Sequence, residues 1–576
     1  TARLHHTGVC FHSFPIYLSI VCLLSPRVFD TFSYQSPNFI VIMADDIGYG
    51  DFQSFGHPTQ EYGGVDRMVK EGMRFTQWTS AATLCSPSRA ALLTGRYAIR
   101  SGLRGDVVPV FQPQSVGGLP RKEITIAESL KALGYRTGLV GKWHLGINRN
   151  TSTDGYHLPH NHGFDFVGTN LPLSHSEMCN PAEVAGKQQS LLHKCSAYIL
   201  CQLMSYHLCY LVGDYFGHHQ TVDWRQVVYF AYQHRYLAFA YQLRCLGVYV
   251  KAFFKNGSTI VEQPVNLSTL TDRITSDAKN FISNNRLNSF FLYFSPPQAH
   301  RALFCAERFC GRSKRGPYGD TINEMSSAIS DILDHLVQLE IDDNTLVIFL
   351  SDHGPNSDKC PDGGVPGLFK AGKGTTWEGG LRVPAVAWWP GVIPAGTVSN
   401  AVVSTLDVHP TLLKIAALRS LPCFKLLQVQ TFMIRLVVKS ANYKGNRILF
   451  HYCGEDILAV RYGVLKQFHF KSNPPLQRRS NCVRTVTADL IRTFSCGKRT
   501  HDPPLVFNLL IDPSEEIPLN ISHYSEELSE VQRLIRKHKR SIKEVPAQYS
   551  PNVPEVQPCC NPPSCISWIV RSNPDS

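Results

Sequence analysis

Short apolar runs rich in β-branched residues recur along the chain, and each closes on polar or glycine-rich residues. They span Asn38 to Met43, Thr137 to Val140, Phe290 to Phe294, Leu346 to Leu350 and Val383 to Trp388. Such runs predict strands in a sheet covered on both faces. Between them, Ile124 to Leu133 and Ile322 to Leu339 carry helix-like patterns. Strands alternating with helices predict an α/β fold, with a large mixed, mostly parallel sheet flanked by helices. Ligands of such sheets bind beyond the carboxyl ends of the strands, so chemistry is expected in the polar residues that follow each run. From about Ser440 the units shorten and turns multiply, as in His501-Asp502-Pro503-Pro504 and Pro551 to Pro563. This reads as a smaller C-terminal α+β subdomain.

One stretch breaks the pattern. Residues Leu191 to Phe254 are rich in Tyr, Leu, Val, Phe and Cys, but are interrupted by charged and histidine residues from His193 and Lys194 to Arg235 and Arg244. No run in it reaches the roughly 20 apolar residues that a spanning helix needs. It is read as a membrane-associated hairpin insertion, with a soluble insertion packed on the core as the alternative.

Composition narrows the class. At 576 residues the chain exceeds one ordinary domain, and two closely packed parts are expected. Its 43% hydrophobic and 18% charged content excludes a disordered chain. The net charge of +12 is modest and no Lys/Arg-rich run stands out, so nucleic acid is not an expected partner. Among 18 cysteines, several lie close together: Cys305 with Cys310, Cys482 with Cys496, and Cys559, Cys560 and Cys565. This usage points to an oxidising compartment. Asn150, Asn256, Asn266 and Asn520 each begin an Asn-x-Ser/Thr sequon, in keeping with secretion. The apolar run Phe14 to Leu24 suits a signal-peptide core, with a buried strand or helix of the mature protein as the alternative, and residues 1–36 are read as a signal peptide and N-terminal extension. These features predict the secretory pathway, in the endoplasmic reticulum or Golgi, ahead of the lysosome or the exterior.

The candidate chemistry lies at strand ends and one helix start. In Cys85-Ser86-Pro87-Ser88-Arg89, Ser86 suits an N-cap, Pro87 the first helical position and Gly95 the helix end. Cys85 then sits just before a helix N-terminus, which favours an anion, and Arg89 on the first turn can reach the same place. An ordinary helix beside a buried cysteine would explain Cys85 alone. The run Asn38 to Met43 delivers Asp45 and Asp46 into a Gly-rich turn. Two buried like charges need a cation or donors, which a hard divalent metal supplies, whereas an Asp-Asp turn in solvent needs neither. A further strand ends in Lys142-Trp143-His144, where a lysine can hold an anion and a histidine can exchange protons. Read alone, it is equally a surface strand end. Leu346 to Leu350 leads into Asp352-His353-Gly354, another strand ending in an acid and a glycine turn. His300 and Lys373, each alone, would be structural or solvated residues.

Together these segments resemble the sulfatase family. Its signature is Cys-x-Pro-Ser-Arg followed by Leu-Thr-Gly-Arg, matched by Cys85 to Arg96. Asp45-Asp46 resembles its metal-binding strand, Lys142-Trp143-His144 its active-site pair, and His300 to Phe304 its His-Thr-Ala-Leu-Phe segment. Lys373 with Trp377 to Pro384 resembles its Lys…Trp-Glu-Gly-Gly-Ile-Arg-Val-Pro. The similarity runs from about Pro37 to Leu412 and from Ile448 to about Cys565, and looks nearest the steryl-sulfatase and arylsulfatase D/E/F/H branch. Phe450-His451-Tyr452-Cys453, His501 to Leu505 and Cys559-Cys560 carry that likeness.

The resemblance implies an alkaline-phosphatase-like fold, with a catalytic domain over 37–417 and a C-terminal subdomain over 418–576. It implies that a formylglycine-generating enzyme oxidises Cys85 to formylglycine. One hydroxyl of the aldehyde hydrate would attack sulfur and the other would expel the sulfate. Asp45, Asp46, Cys85, Asp352 and His353 would hold one divalent ion, calcium. Arg89, Lys142, His144, His300 and Lys373 would bind sulfate or move protons, and the substrate would be an aryl or sterol-like sulfate ester. Several positions depart from the pattern. His353 replaces an Asn or Gln, Tyr62 to Arg67 replaces Thr-Pro-Asn-Ile-Asp-Arg, and Ala417 to Arg447 has no match. They motivate one alternative, a catalytically impaired pseudoenzyme acting as a binding or membrane-associated protein. A phosphate-ester hydrolase with an unmodified nucleophile is the other, opposed by the intact Cys-Ser-Pro-Ser-Arg string.

Overall fold

The computed structural model describes residues 36–104, 110–111, 115–173, 253–255, 259–262, 265–301, 303–417, 447–463, 466–472, 499–549, 553 and 556. Five segments build the centre of a ten-stranded sheet: β1 (Asn38–Ala44), β4 (Arg136–Lys142), β8 (Phe290–Ser295), β9 (Thr345–Ser351) and β10 (Ala385–Trp388). β1 pairs in parallel with β8 and β9, and β8 with β4. β10 runs antiparallel to β9, which makes the sheet mixed. The expected strand from Val383 begins two residues later, after Val383 N donates to Trp78 O at 3.2 Å.

Burial on both faces explains the unbroken apolar runs. On β1, Phe39, Val41 and Met43 enter one core, while Ile40, Ile42 and Ala44 enter the other. Helices α4 (Leu270–Asn284) and α5 (Pro317–Gln338) cover the second face through Leu270, Ile274, Ile322 and Ile329. Helices α2 (Cys85–Thr94), α3 (Ile126–Ala132) and α7 (Val408–Ala417) cover the first through Leu92, Leu93, Ile126, Leu130 and Leu412. α3 is shorter than the pattern Ile124 to Leu133, because Thr125 and Glu128 form a capping box that fixes its start. α5 begins five residues before Ile322, at Pro317, a residue suited to the first turn.

The second sheet is separate and antiparallel. It comprises β13 (Ile448–Cys453), β14 (Asp456–Tyr462), β15 (Lys466–Ser472) and β16 (Arg499–Asn508), with α8 (Ser525–Arg540) beside it. Phe450, Val460, Phe468, Val506 and Val531 form its small core.

Other sequence expectations fall partly or wholly outside the described residues. The signal-peptide run and residues 418–446 lie outside them. So does 191–254, except that Phe253 and Phe254 belong to strand β6 (Phe253–Lys255), next to the outermost strand of the sheet. Among the described residues no helix is long and apolar enough to cross a membrane. Cys305 and Cys310 form a disulfide with 5.5 Å between their Cα atoms, while Cys482, Cys496, Cys559, Cys560 and Cys565 lie outside the described set.

Candidate active site

The parallel strands β1, β4, β8 and β9 end together, and their next residues meet. Asp45 and Asp46 follow β1, Lys142 closes β4, Ser295 closes β8, and Asp352 follows β9. Adjacent strands are held in register, so side chains far apart in sequence arrive at one point. Asp352 N donates to Ala44 O at 3.1 Å, and Asp46 N reaches Asp352 Oδ1 at 3.3 Å. Asp45 N donates to Gln298 O at 2.9 Å and Asp45 O accepts from Ala299 N at 2.8 Å. That pairing brings His300 beside the acids, with its Nε2 4.0 Å from Asp46 Oδ2. Gly141 breaks the β4 register at a bulge with φ +98, where a Cβ would lie 2.1 Å from Ser295 O. The bulge turns Lys142 into the centre.

Cys85 is the first residue of α2, and Leu84 occupies the N-cap. The expected cap from Ser86 does not form, because Ser86 Oγ donates to His144 O at 2.8 Å and accepts from Phe111 N at 3.3 Å. Gly95 ends the helix as expected, with φ 66 and its N–H on Ala91 O. Cys85 is a buried free thiol. Its Sγ lies 3.2 Å from His353 Nε2 and 3.8 Å from Asp45 Oδ1.

Three buried carboxylates face three cations, of which Lys142 and Arg89 are fully buried. Lys142 Nζ donates to Asp45 Oδ2 at 2.5 Å. Lys373 Nζ donates to both oxygens of Asp46, at 2.7 and 2.9 Å. Arg89 Nη2 lies 2.9 Å from Asp352 Oδ2 and 3.5 Å from Asp45 Oδ1, while its Nη1 donates to Ser295 Oγ at 2.6 Å. His353 Nε2 completes the ring, 3.4 Å from both Asp46 Oδ1 and Asp352 Oδ1. Asp46 and His144 are non-glycine residues with φ near 60, so each holds left-handed backbone at this centre.

The charges follow from these contacts. Burial opposes ionisation of Asp45, yet Lys142 and then His300, Arg89 and Lys373 hold its carboxyl well below the usual range. Asp46 is lowered against burial by Lys373, His300 and His353. Asp352 is raised, since its burial outweighs the neighbouring cations. His353 is pushed up to about 9, because Asp352 and Cys85 overcome its burial. Burial, with Lys142 and Arg89 nearby, keeps His144 neutral, well below the usual histidine range. His300 is lowered to about 3, chiefly by burial. Neutral His144 turns Nε2 to Phe111 O at 3.2 Å, a carbonyl that can only accept, so Nε2 carries the proton. Its buried Nδ1 has no hydrogen-bond partner and offers a lone pair.

The donor set fits a divalent cation. Ligand atoms of Asp45, Cys85, Asp352 and His353 lie within 4.8 Å of one another, as do those of Asp46, Cys85 and His300. Three clustered carboxylates suit a hard ion, and the imidazole of His353 adds one nitrogen. All ten candidate residues from the sequence therefore meet here. Ser295 was not among them. Its signal was its place, the polar residue closing an apolar strand. The clamp on the neighbouring turn was also missed. Glu378 and Glu515, both fully buried, hold helix α6 (Glu378–Leu381) together with Arg382, Arg461 and His469.

The sulfatase family model matches residues 37–418, and the model of the C-terminal region of aryl-sulfatase matches 444–567. The chain belongs to the sulfatase family. The arylsulfatase of Hemicentrotus pulcherrimus is 36% identical to it over 93% of this chain and 87% of that protein. The steryl-sulfatase of Rattus norvegicus is 35% identical over 89% and 91%. The crystal structure of the PsFucS1 sulfatase from Pseudoalteromonas sp. superposes with a TM-score of 0.65 at 26% identity, covering 93% of this chain and 95% of that one. This sulfatase is thus a sulfuric ester hydrolase, and its fold is the one expected, a large mixed sheet with a separate antiparallel subdomain.

Proposed function

We propose that this sulfatase cleaves aryl or sterol-like sulfate monoesters in the secretory pathway, using a formylglycine made from Cys85 by the formylglycine-generating enzyme. The observation that carries the reading is Cys85 itself, a buried thiol at a helix start, 3.2 Å from His353 and 3.8 Å from Asp45. The relatives named arylsulfatase and steryl-sulfatase support the substrate class.

Asp45, Asp46, Asp352 and His353 would hold calcium, which when bound polarises a sulfuryl oxygen and neutralises the clustered acids. The hydrated aldehyde supplies one hydroxyl that takes the sulfuryl group and a second that releases it. Lys142 and Lys373 carry positive charge to the edge of the acid cluster, where sulfate oxygens gain charge in the transition state. Arg89 orients Asp352 through its bond to Oδ2. His144, held neutral with its Nδ1 lone pair open, accepts the proton from the releasing hydroxyl. His300 lies beside Asp46 and lines the sulfate side.

The test is the mass of the tryptic peptide Phe75–Arg89 from protein made in a secretory host, together with turnover of an aryl sulfate. The expected result is formylglycine at position 85 and turnover that Cys85→Ala abolishes. Unmodified cysteine, with a control sulfatase converted in the same cells, would reject the reading and leave the pseudoenzyme.

A further inference from the structure

The four backbone N–H groups from Asp45 to Gly48 are each taken by a different residue. Asp45 N donates to Gln298 O at 2.9 Å, Asp46 N to Asp352 Oδ1 at 3.3 Å, Ile47 N to Ser351 Oγ at 3.0 Å and Gly48 N to Asp51 Oδ2 at 2.6 Å. The first three partners close or follow strands β8 and β9. They fix the turn where it leaves the sheet. The fourth is a carboxylate, and it fixes the turn's outgoing end.

Asp51 is fully buried, and both its oxygens are filled. Oδ2 accepts from Gly48 N and, at 2.9 Å, from the Tyr318 hydroxyl. Oδ1 accepts from Arg315 Nη2 at 2.6 Å and from Val365 N at 2.8 Å. Four donors occupy the four lone-pair sites of a carboxylate, so Asp51 has none to offer an ion. Its charge is met by Arg315, whose guanidinium also lies over the Tyr318 ring, 4.4 Å from the centroid. The turn is tightly enclosed. A Cβ on Gly48 would lie 2.1 Å from Val365 O, and one on Gly364 2.3 Å from Asp51 Oδ2.

Between the two anchorages lies Asp46, with φ 60. A left-handed residue other than glycine persists where its surroundings hold it from several sides. Here they hold a candidate metal ligand. The Asp46 carboxylate takes Lys373 Nζ on both oxygens, and one of its oxygens lies within 4.8 Å of ligand atoms of Cys85 and His300.

We propose that Asp51 is a positioning residue for Asp46. With Arg315 and Tyr318 it holds the turn after β1 in the shape that presents the Asp46 carboxylate to a divalent ion. This role rests on the calcium reading above. Groups behind the ligands of a metal site commonly govern its affinity without touching the ion.

The experiment measures calcium affinity by competition with a fluorescent chelator in the full-length parent, Asp51→Asn and Tyr318→Phe. Val531→Ala, which loosens the core of the separate sheet, controls for lost stability. In Asp51→Asn an NH2 group replaces one acceptor oxygen, so two of the four donors lose their partner whichever way the amide turns. Tyr318→Phe removes a single donor and keeps the ring under Arg315. Calcium binding should weaken about tenfold or more in Asp51→Asn and about threefold in Tyr318→Phe. Val531→Ala should bind calcium like the parent while melting at a lower temperature. If Asp51→Asn yields no folded protein, Tyr318→Phe decides. Parent-like affinity in the Asp51 and Tyr318 variants, or an equal loss in Val531→Ala, overturns the role and leaves the calcium reading standing. A parent that binds no calcium overturns both.

Discussion

Glu515 belongs to the C-terminal part of the chain, yet its Oε2 accepts a hydrogen bond from the backbone N–H of Glu378 at 2.7 Å, at the start of α6. Its other oxygen lies 2.6 Å from His469 Nε2. The far side of α6 receives Gly354 N at Gly380 O, 3.0 Å, and Ser80 N at Leu381 O, 2.8 Å. Gly354 follows His353, and Ser80 Oγ donates to Asp352 O at 2.5 Å. The smaller part of the protein thus braces the turn that carries two candidate metal ligands. Glu515→Ala should strip the partner from Glu378 N–H and from His469, costing about 2–3 kcal/mol of stability. Thermal unfolding checks this, and an unchanged melting temperature would dismiss the brace.

The Cys85 thiol meets two groups of the site, His353 and Asp45, so its loss should disturb the centre more than the fold. Cys85→Ala should change stability by less than about 1 kcal/mol. It should lower kcat on an aryl sulfate on the order of 10⁴-fold or more, the scale seen when a nucleophile is removed. Comparable activity in the Ala variant would mean that the reaction does not pass through this position.

Lys142 and Asp45 form a pair with both side chains fully buried. Removing one partner leaves the other charge uncompensated. Lys142→Met should therefore destabilise the protein by about 3–5 kcal/mol, and adding Asp45→Asn should restore part of the loss. Denaturant titration of both single variants and the double variant measures the coupling. Strictly additive losses would show that the two do not act as a pair.

His353 links pH to the metal site. Its pKa in the fold is about 9, above the ordinary histidine value of 6.5. In metal-free protein that keeps Cys85 unmodified, its proton contributes stability that is complete below pH 6.5 and is lost as pH rises through about 9. A cation needs the imidazole neutral, so metal affinity should run the other way. It should strengthen with pH across the same window, by up to about tenfold per unit for one proton released. Chelator competition at several pH values reads this directly. His353→Gln should flatten the dependence, and a slope that survives in that variant would assign the proton to another group.

Much of this arrangement was legible in the chain. Apolar runs ending in Asp45, Lys142 and Asp352 are local patterns, because a strand buried on both faces must be apolar throughout and its first polar residue marks the sheet's edge. The helix after Cys85 was legible for the same reason, through Pro87 and Gly95. Its cap was not, since Ser86 is drawn away by His144 and Phe111, partners distant in sequence.

The alternation of strands and helices, the family and the identities of the groups gathered at the centre are all written along the chain. Folding in three dimensions sets which acid meets which cation, leaves His144 neutral with Nδ1 open, and brings Glu515 and Tyr549 to the catalytic half. The physical reason is range. Periodicity and capping are set by neighbours within a few residues, whereas charge state and hydrogen-bond partners are set by burial among side chains hundreds of positions apart.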